Sequence, residues 1–382
     1  MPNKNSVILA AFGDVMLDRD VGQHFQSAPG DFAMPDIREA LSDCDLVFAN
    51  LENPVSRNGK PHAIQNPRVT FRARPESLDI LENLGVGIVS LGNNHMLDYG
   101  ETALTDTLKH LDERGIKHAG AGRNTSEANR PVLIEKNSVS LAFISHTLIY
   151  SASTLAAKQT SPGVADPNIK GILESISTLA SQGHQVVVSL HWGIEYGFYP
   201  LPYQREYALR MVDAGAVLIL GHGPHYPQGV EDYGRGLIFY SLGNFIFDEP
   251  YFFAKRTFIP RVTITNQGVN KQFDIVPVEL PNHVPRVMTG ARGKKMVRLI
   301  ESLYPIYARK DRHFLRHVND VYFPDVYWRC RTMKSLKFLF LPLLSFYRQV
   351  GSKNILKRFS LKNFGKLFAR FGITFGVRNT AR

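Results

Sequence analysis

Apolar residues recur along this chain in short runs of strand length, and polar clusters follow most of them. Residues 6–12 (SVILAAF), 45–52 (DLVFANLE), 86–92 (VGIVSLG), 138–146 (SVSLAFISH), 184–193 (HQVVVSLHWG), 216–223 (AVLILGHG) and 236–245 (GLIFYSLGNF) read as strands, several rich in β-branched residues. Between them, 75–85, 101–115, 168–183 and 203–215 have helical spacing, and the glycines near their ends are stop signals. Residues 257–265 and 271–280 look like a closing antiparallel pair, and 290–307 like a further helix. Strand–helix alternation with some hairpins predicts an α/β sheet or layered sandwich. A soft boundary falls at Pro281–Pro285, which divides the chain into residues 1–285 and a C-terminal extension, 286–382.

The polar clusters fall directly after the apolar runs: GDVMLDR, ANLENP, SLGNNHMLDYG, SLHWGIEY, ILGHGPHYPQGVE and YSLGNFIFD. Ligands of open α/β sheets bind outside the carboxyl ends of the strands. Asp14, Glu52, Asn94, His95, His191, His222 and His225 would thus converge on one site. Carboxylates, an amide and neutral imidazoles suit Zn, Mn or Fe, and no thiolate is on offer. Such a set can hold one or two divalent cations, with a nearby imidazole to protonate a leaving group. Each residue alone has an ordinary reading: Gly-Asp and Asn-Asn make turns, and a histidine in an apolar strand is often a core residue. Their repetition at successive strand ends favours a shared site. The chain has no G-x-S-x-G elbow and no P-loop.

At 382 residues, with 44% hydrophobic and 21% charged positions, wholesale disorder is excluded. Two cysteines exclude a disulfide scaffold. The net charge of +11 is uneven: residues 329–382 hold thirteen basic side chains and no acidic one, against 32 basic and 34 acidic before them. Leu356, Phe359, Phe364, Leu367, Phe368 and Phe371 approach helical spacing among those lysines and arginines. This basic helical tail could lie on an anionic membrane surface or polymer, or pack on the body with its lysines toward water. No nucleic-acid module is recognisable, so no specific nucleic-acid partner is expected. The short N-terminal apolar run does not read as a signal peptide, and no stretch has membrane-spanning length. A cytoplasmic protein, peripheral at the inner membrane face if the tail binds lipid, is the expectation.

The ordered motifs GDVMLDR, NLENP, LGNNHMLDYG, SLHWGIEY, GHGPHYPQGVE and YSLGNFIFD together resemble the CapA-type capsule synthesis (poly-gamma-glutamate biosynthesis) proteins, over about residues 6–250. These in turn resemble calcineurin-like metallophosphatases. The resemblance implies a four-layer α/β/β/α sandwich and a metal-dependent, hydrolase- or transferase-like site acting on an anionic polymer or a phosphorylated substrate. Asp14, Glu52, Asn94, His191, His222 and His225 are its implied metal ligands, and His95 its acid or oxyanion contact. Asp98, Glu195 and Asn244 are implied as supporting or substrate-facing groups. Two departures stand out. Met16 occupies the position of a first-motif histidine, and His222 and His225 are spaced His-x-x-His rather than His-x-His. One cation, or a weak second one, is then expected.

Overall fold

Ser6–Val15 is buried along nearly its whole length, as a central strand covered on both faces must be. A computed structural model describes residues 5–61, 69–149 and 152–303. In it, Ser6–Val15 lies at the centre of a nine-stranded sheet. Leu46–Leu51, Ile88–Ser90 and Lys117–Ala119 extend this sheet in parallel on one side. Arg256–Thr265 and Asp274–Glu279 extend it antiparallel on the other, with Phe258 opposite Pro277, which is the closing pair expected from the sequence. The second sheet has six strands. Gly236–Phe239, Ala216–His222, Gln185–His191 and Val139–Thr147 run parallel at its centre, flanked by antiparallel Val230–Tyr233 and Val132–Lys136.

Successive side chains of a strand point to opposite faces, so each strand feeds two cores. Val7, Leu9 and Ala11 join Phe48, Phe143 and Val187 in a core between the two sheets. Ala10 and Phe12 point the other way, into a core shared with Leu104, Leu108 and Leu111 of the helix Gly100–Glu113. On the outer face of the second sheet, Val186, Val188 and Leu190 pack with Ile172 and Ile176 of the helix Ile169–Ser181 and Met211 of the helix Pro202–Asp213. The result is the four-layer α/β/β/α sandwich.

Two elements differ from the sequence reading. Residues 236–245 are not one strand: Gly236–Phe239 belongs to the second sheet, while Asn244–Ile246 pairs in parallel with Ser6–Val15 in the first. The chain crosses between sheets at Gly243, whose φ of +74° suits a glycine. Residues 75–85 form a 3-10 turn, Pro75–Leu78, before a short helix, Asp79–Asn83. The helix Gly290–Leu303 buries Met296 and Ile300 in the core between the sheets. No helix among the described residues is long and apolar enough to cross a membrane. The basic tail at 329–382 lies outside the described residues.

One buried histidine ties stability to pH. The Nδ1 of His146 donates to the Asp166 carbonyl at 2.9 Å, and burial pushes its pKa down to about 4. The unfolded chain protonates this ring near pH 6.5, the folded chain only near 4, so stability falls as pH drops through that window. The contribution lost is at most roughly 3 kcal/mol. Urea midpoints at pH 7 and pH 4.5 should differ less in His146→Gln than in the wild-type chain; an unchanged difference would refute the assignment.

Candidate metal centre

Parallel strands end side by side, and here the register brings the chemistry to one edge. Asp14 pairs across the first sheet with Asn50 on one side and Asn244 on the other. In the second sheet His191 and His222 are register partners. The two edges touch where the Gly223 N–H donates to Asp14 Oδ2 at 3.2 Å. Gly223 has φ +101°, and a Cβ there would sit 3.0 Å from His191 Nε2, so this loop lies closely over the histidine.

Ligand atoms of Asp14, Glu52 and His191 all lie within 4.8 Å of one another, and all three residues are buried. Asn50 Nδ2 donates to Asp14 Oδ1 at 2.9 Å and reaches Glu52 Oε2 at 3.4 Å, so one amide holds both carboxylates. His222 Nδ1 and His225 Nδ1 each stand 3.3 Å from an Asp14 oxygen. The Nε2 atoms of His95 and His225 each stand 3.8 Å from Glu52 Oε1.

Several of these buried atoms make no hydrogen bond: Glu52 Oε1, Asn94 Oδ1, His191 Nδ1 and both His222 ring nitrogens. Buried polar atoms normally find partners. A group of lone-pair donors left without them is what a cation site requires. The electrostatics agree. Burial, with the Asp14 charge beside it, pushes the Glu52 carboxyl well above its ordinary range. Burial also opposes charge on Asp14, yet His222 and His225 outweigh it and hold that carboxyl well below its ordinary range. His225 is the reverse case: burial would lower it, but Glu52 and Asp14 hold it well above. Burial drives His191 down to about 3, so at neutral pH the ring is uncharged and one of its nitrogens has a lone pair to offer. A divalent cation relieves the repulsion between the two carboxylates. The residues present therefore fit such an ion.

The supporting residues fall in distinct places. Asp98 Oδ2 lies 2.8 Å from His95 Nδ1 and accepts the Phe71 N–H at 2.8 Å, fixing the imidazole. Asn244 Oδ1 accepts from His225 Nδ1 at 2.8 Å. Glu195 is exposed and touches the site only through its charge, which favours protonation of Glu52 and His225. Met16 is wholly buried in the helix-side core, where its sulfur accepts the Asp18 N–H at 3.1 Å, so it offers the centre no ligand. Sequence reasoning missed Asn50; it gave the Asn93-Asn94 pair a turn-making reading, and Asn93 has that role. Asn93 Nδ2 donates to the Leu51 carbonyl at 2.8 Å and its Oδ1 accepts the His95 N–H at 3.1 Å, shaping the turn that presents Asn94 and His95. The spacing of Asn50 and Glu52, two apart at a strand end, was the available signal.

A family model described as bacterial capsule synthesis protein matches residues 8–249, which include every strand-end residue of this centre. The chain belongs to that family. Among its relatives is the capsule biosynthesis protein CapA of Bacillus anthracis, 32% identical over 290 residues, covering 75% of this chain and 70% of that one. Another is the PGA biosynthesis protein CapA of Bacillus subtilis, 32% identical over 285 residues and covering 74% of each. Solved structures superpose loosely: the NAD nucleotidase of Haemophilus influenzae is 10% identical, with a TM-score of 0.43 over 77% of this chain and 62% of that one. This CapA-type family is one of capsule and poly-glutamate biosynthesis.

Proposed function

We propose that this capsule synthesis family member is a divalent-cation-dependent hydrolase acting on an anionic exopolymer or a phosphorylated intermediate of its production. The observation that carries this is the buried cluster of Asp14, Glu52 and His191, in which Glu52 Oε1 and His191 Nδ1, like both ring nitrogens of the adjacent His222, have no hydrogen-bond partner. Asp14, Glu52, Asn94, His191, His222 and His225 would hold one or two ions, with Mn, Zn and Fe suited to this donor set. A cation held there supplies Lewis-acid polarisation of a phosphoryl or carbonyl oxygen and neutralises developing negative charge.

The protein's own part centres on His95. Asp98 fixes its Nδ1, which leaves Nε2 turned toward Glu52 and the centre. That nitrogen can carry a proton to a leaving group, and the Asp98 carboxylate stabilises the ring when it is charged. Asn50 keeps the two carboxylates in register while they change protonation or ligation.

Turnover of a phosphoester panel and of γ-linked polyglutamate by the Mn²⁺-loaded chain tests the reading. Cleavage should be abolished by chelator and by His191→Ala. His95→Asn should retain the cation but lose roughly 10²–10⁴-fold in rate. A metal-replete chain that cleaves none of these substrates overturns the hydrolase reading.

A further inference from the structure

Arg19, five residues after Asp14, has a left-handed backbone conformation, φ +49°, that is uncommon for a long side chain. Its guanidinium stacks 4.6 Å over the Phe71 ring and 5.9 Å over the Phe247 ring. Each ring packs against a histidine of the centre: Phe71 on His95 at 4.4 Å between centroids, Phe247 on His225 at 5.0 Å. The cation is thus one aromatic ring away from both imidazoles. Asp248, almost fully buried, receives Arg19 Nε at 3.0 Å and a second guanidinium nitrogen, and also the Asp20 N–H at 3.3 Å. The side chain of Arg19 keeps 28% of its surface exposed.

We propose that Arg19 is the substrate-recognition residue of this site, a planar cation held on the two phenylalanines that pack against His95 and His225, where it takes an oxyanion of the substrate. The proposal rests on the hydrolase reading for its substrate. Its own content is the assignment of Arg19 as the group that takes the substrate's phosphate or carboxylate. A guanidinium suits either, since both offer oxygens in the plane of its N–H donors. Phe71 and Phe247 supply a flat, apolar backing that restricts its motion, and Asp248 sets its orientation. A structural role alone, tying the loop after Ser6–Val15 to the one after Asn244–Ile246, would need the same ion pair. It would not need the guanidinium placed over the two rings that carry the histidines.

Calorimetric titration of the full chain with inorganic phosphate and with a γ-linked glutamate pentamer separates these roles. Titrations run both in Mn²⁺ and in chelator. Arg19→Gln should weaken binding of at least one anion by about tenfold or more, with Mn²⁺ stoichiometry unchanged. Arg19→Lys should recover part of the loss. Asp248→Asn breaks the same ion pair but leaves the guanidinium on its two rings, so it should retain more anion affinity than Arg19→Gln while lowering Tm as Arg19→Gln does. Loss confined to phosphate identifies a phosphoryl substrate, and loss confined to the pentamer a carboxylate polymer. Equal anion affinity in wild type and Arg19→Gln, or no affinity for either anion in the wild type, overturns the proposal. A wild-type chain that takes up no Mn²⁺ yet binds anions through Arg19 fails the metal reading and leaves this one standing.

Discussion

Asp14→Ala is expected to leave the purified chain without its stoichiometric divalent cation and without turnover. The carboxylate accepts from Asn50 and Gly223 and faces two imidazoles, all of them buried. Truncation removes a ligand and also strands those donors. Breaking a buried charge pair in this way costs about 3–5 kcal/mol, so a lowered urea midpoint should accompany the lost cation. The pH dependence separates the two effects. Asp14 is held well below the usual carboxylate range, so its stabilisation is present at neutral pH and fades only as pH falls below the unfolded value of 3.8. The stability gap between variant and wild type in chelator should therefore be full at pH 7 and close in strong acid. Asp14→Asn keeps the volume and serves as the milder companion. Retention of one tightly bound cation per chain in both variants, by elemental analysis after dialysis, would falsify the assignment of Asp14 as a ligand.

The second large effect involves no titratable group. Gly13→Ala is expected to prevent stable folding or to cost more than about 3 kcal/mol. A Cβ at residue 13 would lie 1.8 Å from the Gly243 carbonyl oxygen, on a neighbouring segment bound to Ser6–Val15 by the Asp14 N–H to Gly243 hydrogen bond at 2.8 Å. Backbone on both sides cannot swing away as the tip of a side chain can. Thermal unfolding reads the loss directly. At roughly 2–4 °C per kcal/mol for a domain of this order of size, the midpoint should fall by about 6 °C or more. A chain that unfolds at the wild-type temperature would show that the two segments can part at little cost. Cation uptake should fail with the fold, because Asp14 is the next residue.

The strands were legible because burial on both faces writes them as nearly continuous apolar runs, and the site because its residues follow those runs directly. The allocation of strands to two sheets was not legible. It depends on which distant runs pair, and residues 236–245 show the consequence: one apolar run serves both sheets, divided at Gly243. Val132–Lys136 escaped notice for a different reason. It is an edge strand whose Val132 and Ile134 are half-buried while the apolar Leu133 is exposed between them, so the sequence shows no alternation of apolar and polar residues there. Asn50 was hidden inside a strand whose interest lay in its hydrophobic residues, yet it holds the two carboxylates. Arg19 and Phe71 lie 52 positions apart, and only the folded chain puts one over the other. Glu195, by contrast, stands within the right motif in sequence but faces solvent.

The centre takes Asp14 and Glu52 from one sheet and His191, His222 and His225 from the other or its following loop. An ion bound there would act as a rivet between two plates that otherwise adhere through a shared apolar core and hydrogen bonds such as Ser90 to Ser145 and Asn137 to Asp45. Ion occupancy would then govern how readily the plates slide or peel, and at a free concentration a hundred times the dissociation constant it would add about 2.7 kcal/mol against their separation. A cell starved of that ion would then lose the protein itself to proteolysis.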